Sequence, residues 1–268
     1  MSGHLLYYRA DNGHIATGHI DSDGKFTALK LGRLASGWTH IVPLAVPLGH
    51  DLFFYRSDDG TSATGRIDGD GNFFPLVKDI RLDAHWTHIT PLGRDLLLYR
   101  TSTGEIATGR VEPQGAFTPL GKSNVNPGWN IINAVGRELL FYRPDKDGLI
   151  ATGRIESDGT FSGLATGNLS PGWTHITTHD RELFFYNTGN GVIATGRLSA
   201  NGIFTGLATG QVKPDWTHLT SLDRELQFYR RRDGLIATTR IDTNGVFTNL
   251  GQANVDPQFD IIAGLTGL

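Results

Sequence analysis

Trp38-Thr39-His40-Ile41 returns, with small changes, five more times along the chain. The later instances are Trp86-Thr87-His88-Ile89, Trp129-Asn130-Ile131-Ile132, Trp173-Thr174-His175-Ile176, Trp216-Thr217-His218-Leu219 and Phe259-Asp260-Ile261-Ile262. Successive aromatics lie 48, 43, 44, 43 and 43 residues apart, the length of a four-stranded propeller blade. Three other segments recur with this one. The first is apolar with a polar end, as in Leu139-Leu140-Phe141-Tyr142-Arg143. The second is Ile-Ala-Thr-Gly-Arg-Ile, seen at Ile150 to Ile155. The third begins with Phe after Asp-Gly or Asn-Gly, as in Asp158-Gly159-Thr160-Phe161.

These segments are short, rich in β-branched and aromatic residues, and bounded by Gly, Asp, Asn or Pro, which are strand and hairpin signals. No stretch sustains the three-to-four spacing of an amphipathic helix. The pattern predicts an all-β fold: a six-bladed β-propeller of four-stranded antiparallel blades. It forms one domain over 1–268, with repeat units at about 4–49, 50–93, 94–136, 137–180, 181–223 and 224–268. The chain enters at His4 to Arg9, which matches the second segment of a unit, and stops after Phe259 to Leu265, which matches the first. The C-terminal strand is therefore expected to join the three N-terminal ones, closing the ring without a free sheet edge. The third and sixth units also depart together, with Ile131 and Ile261 where the others have His, as if a three-blade unit had been duplicated.

Composition narrows the function. Lys and Arg total 24 against 27 Asp and Glu, so the basic excess that non-specific nucleic-acid binding needs is missing. Cys is absent, which excludes disulfides, thiolate metal sites and thiol nucleophiles. No signal peptide and no apolar run of membrane-spanning length are visible, so membrane insertion is not expected and the location is read as cytoplasmic, or secreted without a visible leader. Gly-x-Ser-x-Gly, His-Glu-x-x-His and the phosphate loop do not occur.

Two sets of repeated residues are candidates for a site. Trp and His of the recurring motif project from the same strand face. Their bland reading is structural, Trp filling the gap between blades and His bonding a neighbouring strand or hydroxyl. Their sharper reading is a metal: on innermost strands, His40, His88, His175 and His218 would surround the central channel, and converging neutral imidazoles suit Cu, Fe, Ni or Zn. In Ile-Ala-Thr-Gly-Arg-Ile, the small Ala and Gly on one face would let the adjacent blade approach. The other face carries Arg66, Arg110, Arg154, Arg197 and Arg240, with His19 in the first unit. A second series, Arg9, Arg56, Arg100, Arg143 and Arg230, is interrupted by Asn187. Arg beside Trp38, Trp86, Trp173 and Trp216 could hold sugar hydroxyls or carboxylates. Otherwise each Arg pairs with acids such as Asp95, Glu138, Glu182 and Glu225 and lies over an aromatic ring. The hairpins at Asp21-Ser22-Asp23-Gly24 and Asp68-Gly69-Asp70-Gly71 lack the closing acid of a calcium loop and read as turns.

At Trp38-Thr39-His40-Ile41-Val42-Pro43 and Asp51-Leu52-Phe53-Phe54-Tyr55-Arg56 the chain resembles the tachylectin-related and FG-GAP-type propeller repeats of carbohydrate-binding proteins. The similarity covers all six units but describes mainly blade structure. It departs from the FG-GAP pattern where that family has an Asp-rich calcium loop, since the connection here is the short Pro91-Leu92-Gly93-Arg94-Asp95. The resemblance implies a lectin; six near-equivalent grooves, many aromatics and no nucleophile point to a multivalent protein without catalytic activity or cofactor, possible as a homo-oligomer, that binds glycans or glycoconjugates in those grooves. Two classes of groove are expected, because the third and sixth units differ. The alternative is a metal-dependent enzyme using the four His at the hub.

Overall fold

A computed structural model describes residues 3–44, 50–145, 147–179, 181–222 and 225–265. Within them the chain forms strands and no helix, so no helix is long and apolar enough to cross a membrane. Six antiparallel four-stranded sheets stand around an axis. The first blade holds β1 (Gly3–Tyr8), β2 (His14–Ile20) and β3 (Phe26–Arg33). The second holds β4 (His40–Leu44), β5 (His50–Tyr55), β6 (Thr61–Ile67) and β7 (Phe73–Arg81). The third holds β8 (His88–Leu92), β9 (Asp95–Tyr99), β10 (Glu105–Val111) and β11 (Phe117–Asn124). The fourth holds β12 (Ile131–Val135), β13 (Glu138–Arg143), β14 (Leu149–Ile155) and β15 (Phe161–Asn168). The fifth holds β16 (His175–His179), β17 (Glu182–Tyr186), β18 (Val192–Leu198) and β19 (Phe204–Gln211). The sixth holds β20 (His218–Leu222), β21 (Glu225–Arg230), β22 (Leu235–Ile241) and β23 (Phe247–Asn254). The last strand, β24 (Ile261–Leu265), returns to the first blade and pairs with β1, from His4 opposite Leu265 to Tyr8 opposite Ile261. The closure expected from the chain ends is therefore present, and the strand that follows each Trp is innermost.

The hydrophobic core lies between blades. Leu6 and Tyr8 of the first blade pack with Trp38, Ile41, Leu52 and Phe54 of the second, and five further clusters repeat this around the ring. A sheet in a propeller has two faces to cover, and a neighbour on each side covers both.

Three hydrogen-bonded staples fix the blades to one another. Buried Tyr99 donates its hydroxyl to the Asn126 carbonyl and accepts from the Trp129 amide, across the junction to the next blade. Tyr8, Tyr55, Tyr142, Tyr186 and Tyr229 do the same at the other junctions. The Thr of Ile-Ala-Thr-Gly-Arg-Ile makes the second staple: Thr64 donates to the hairpin carbonyl of Gly115 at 2.9 Å and Thr108 to that of Gly159 at 2.8 Å.

One expectation needs correction. The glycine of that segment does not clear the way for the adjacent blade. A Cβ on Gly109 would lie 2.0 Å from the Phe117 ring, and the same holds for Gly65 with Phe73 and Gly153 with Phe161. The space is filled by the aromatic of the next strand in the same blade. The hairpins, by contrast, are turns as read: Asp21 accepts the amides of Asp23 and Lys25, and Gly24 takes φ +80°.

Candidate functional site

The two repeated residue sets are occupied in building the ring. His40 Nε2 donates to the Thr87 carbonyl at 3.1 Å, His88 to Asn130 at 2.8 Å, His175 to Thr217 at 3.0 Å and His218 to Asp260 at 2.9 Å, each in the next blade. A carbonyl can only accept, so Nε2 carries the proton and Nδ1 keeps the lone pair, which faces its neighbouring Thr hydroxyl at 3.0 Å. Burial lowers the pKa of each ring, partly offset by that carbonyl, so the imidazoles are neutral. These four side chains are the third staple. The metal reading is corrected on this ground: the rings turn into the gaps between blades instead of converging on the axis. Among the described residues no group of His, Asp or Glu has the arrangement of a metal site.

The structural reading of the Arg residues holds in part, since the two series share its two contacts between them. Arg66 pairs with Asp51, Arg110 with Asp95, Arg154 with Glu138, Arg197 with Glu182 and Arg240 with Glu225, at 2.6–2.8 Å. The second series stacks on aromatic rings: Arg100 lies 4.6 Å from the centre of Trp86, Arg143 4.7 Å from Trp129, and Arg56, Arg230 and Arg9 cover Trp38, Trp216 and Phe259. Trp38, Trp86 and Trp216 are buried, and Trp173, facing Asn187 in place of an Arg, is half-buried. Grooves between outer strands do reach the edges of Trp86, Trp173 and Trp216. Trp86 and Trp216 are themselves almost fully buried, and Trp173 alone of the three is part-exposed.

What remains open is the axis. A cavity of about 630 Å³ runs between the inner strands toward the ends where they turn into the second strands. Its wall is apolar at Ile41, Ile89, Ile132, Leu219 and Ile262, and polar further along at Thr90, Asn133, Thr177, Thr178, Thr220 and Ser221. Thr90 and Asn133 are already bonded to inner-strand carbonyls of the next blade. The mouth adds His50, Asp51 and His179.

His50 is the most perturbed of these groups. Burial, reinforced by the nearby His4 ring, brings its pKa down to about 4 in spite of Asp51. Its ring centre lies 5.0 Å from that of His4, which in turn lies 5.1 Å from His19. Asp51, 1% exposed, is held by Arg66 and by Arg94 of the next blade. His4, at the start of the first apolar segment, and His50, one residue before Asp51, are not repeated in the other units, so the repeat does not single them out. The visible signal was His19 interrupting the Arg series.

No protein-family model matches the chain, and no curated protein matches it. Solved structures do. A putative 6-phosphogluconolactonase from Bacteroides fragilis superposes with a TM-score of 0.61 at 16% identity, covering 96% of this chain and 83% of its own. The periplasmic gluconolactonase PpgL of Pseudomonas aeruginosa gives 0.63 at 13% identity, covering 99% of both chains. A putative 6-phosphogluconolactonase from Bacteroides uniformis gives 0.65 at 12% identity, covering 98% and 99%. The glycan-binding expectation is thereby corrected: these neighbours are described as lactonases, and the Trp and Arg residues it relied on are occupied between and within blades. At these identities the likeness shows the fold alone, the six-bladed ring being this chain's own.

Proposed function

We propose that this protein is a hydrolase of small cyclic esters, of the sugar-lactone class, acting at the mouth of the axial channel. The observation that carries the reading is His50: an imidazole held neutral at physiological pH by burial, on the wall of a cavity large enough for a monosaccharide-sized molecule. A neutral imidazole there can take a proton from water as its oxygen attacks the lactone carbonyl. The imidazolium then returns that proton to the ring oxygen as the acyl–oxygen bond breaks, leaving a hydroxy acid. Polar groups further along the channel offer hydrogen bonds to substrate hydroxyls; those of Thr177 and Thr178 are not bonded to any described residue. The lactonase descriptions of the neighbouring propellers agree with this choice of reaction class without establishing it.

A pH-stat assay with a panel of γ- and δ-lactones of sugar acids tests the proposal. At least one is expected to open well above its spontaneous rate, with His50→Gln lowering kcat/KM about a hundredfold and leaving the melting temperature nearly unchanged. A panel hydrolysed no faster than in buffer, or His50→Gln at full rate, overturns it.

A further inference from the structure

Five blades end in the same clamp. Asp51 faces Arg66 across the second and third strands, and Asp95–Arg110, Glu138–Arg154, Glu182–Arg197 and Glu225–Arg240 are its equivalents by register. At two junctions a further Arg, one residue before the next blade's acid, reaches back. Arg94 bonds Asp51 and Arg181 bonds Glu138, each at 2.9 Å. At the first blade and its junction with the second, all three positions change together. His4 stands in the acid's place, its cross-strand partner is His19, and His50 stands one residue before Asp51, in the place of the reaching Arg. A carboxylate is missing where the other five blades have one, and two guanidiniums are replaced by groups that charge only in acid.

We propose that His4, His19 and His50 form a proton-gated binding site for a carboxylate anion at the mouth of the axial channel, the ligand supplying the charge that the chain's own acid supplies in the other blades. The groups facing the trio do not provide it. Asp21, beside His19, accepts the amides of its own hairpin. Asp51, beside His50, is clamped by Arg66 and Arg94. His4 Nε2 donates to the Gly69 carbonyl at 3.1 Å, and of the acids flanking that glycine Asp68 accepts the amides of Asp70 and Asn72. Among the described residues no carboxylate forms an ion pair with any of the three rings.

Near neutral pH the His19 and His50 rings are uncharged, chiefly through burial, and an anion gains little from them. In mild acid the first proton taken up at the trio is repelled only by further protons, and a bound carboxylate offsets that repulsion. Anion binding and proton uptake therefore reinforce each other.

Acetate is the probe, with chloride at equal ionic strength as control, followed by calorimetry and by side-chain nitrogen NMR of the full chain. At about pH 5.5 acetate is expected to move the ring signals of His4, His19 and His50, and not those of His40, His88, His175 and His218. Affinity is expected to drop at least about tenfold by pH 7.5. The double variant His4→Asp with His19→Arg, which rebuilds the clamp of the other blades, is expected to fold and lose binding. His19→Gln should weaken it severalfold if the double variant proves unstable. Chloride giving the same shifts, affinity unchanged with pH, or binding retained in these variants overturns the proposal. Binding is read without turnover, so acetate bound by a chain that opens no lactone leaves this site standing and removes only the hydrolytic reading.

Discussion

Tyr99 shows how one side chain does two jobs in this ring. Its aromatic body is buried against Phe141 of the next blade, while its hydroxyl satisfies a carbonyl and an amide of the loop leading to Trp129. Removing the oxygen leaves two backbone groups without partners, and each such loss costs about 1–3 kcal/mol. Tyr99→Phe is accordingly expected to lower stability by about 2 kcal/mol, measured by urea unfolding. A change within error would mean that water replaces the hydroxyl. The Trp and Arg repeats follow the same logic. Arg100 covers Trp86 and bonds the Ala84 carbonyl, so it fixes the entry to the third blade and leaves no ring face for a ligand. Which residue types recur was legible along the chain; whether they face out or in was not, because a repeat constrains a side chain's partner without naming it.

The blade explains why those partners are where they are. The third and fourth strands of a blade shift register beside the repeated Thr, as between Thr108 and Gly109, where the Thr108 hydroxyl bonds the Gly159 carbonyl of the next blade's hairpin. The glycine beside it accepts the Phe117 ring. Gly109→Ala puts a methyl into that ring and is expected to cost about 1 kcal/mol, the lower end for overpacking. The sixth blade tolerates Thr239 at this place. Phe117→Leu in the same chain should recover part of the loss, and a double-mutant cycle read by thermal melting gives the coupling. Additive effects would show that the contact does not govern this step. Segment boundaries, hairpins and strand order were readable from periodicity and turn residues alone. The strand that glycine serves was not, since a small residue makes room on either side of a sheet.

Closure by β24 makes the six junctions one cooperative object, so acid acts on the molecule as a whole. His40, His88, His175, His218, His19 and His50 all have folded-state pKa values below the unfolded 6.5, chiefly through burial. The neutral form is thus favoured on folding. Its contribution is present in full above about pH 6.5 and is lost as pH falls through the folded values, down to about 4 for His50. The melting temperature is expected to fall by several degrees between these limits. Replacing His88 and His175 by Ile, the residue the fourth and first blades carry at Ile131 and Ile261, should flatten that fall. An unchanged slope would show that other groups govern the acid limb.

The sequence alone determined the ring: blade number, strand order and the pairing of the chain ends follow from a period of about 43 residues and from where the chain enters and leaves it. Tertiary structure alone decided what was available for function. The repeated His, Arg and Trp sit where neighbouring strands or blades meet, and their main polar contacts are to the protein itself. His50 joins His4 and His19, cross-strand partners within the first blade, only when the first and second blades pack side by side. Local patterning cannot encode that meeting, because it depends on where whole sheets come to rest.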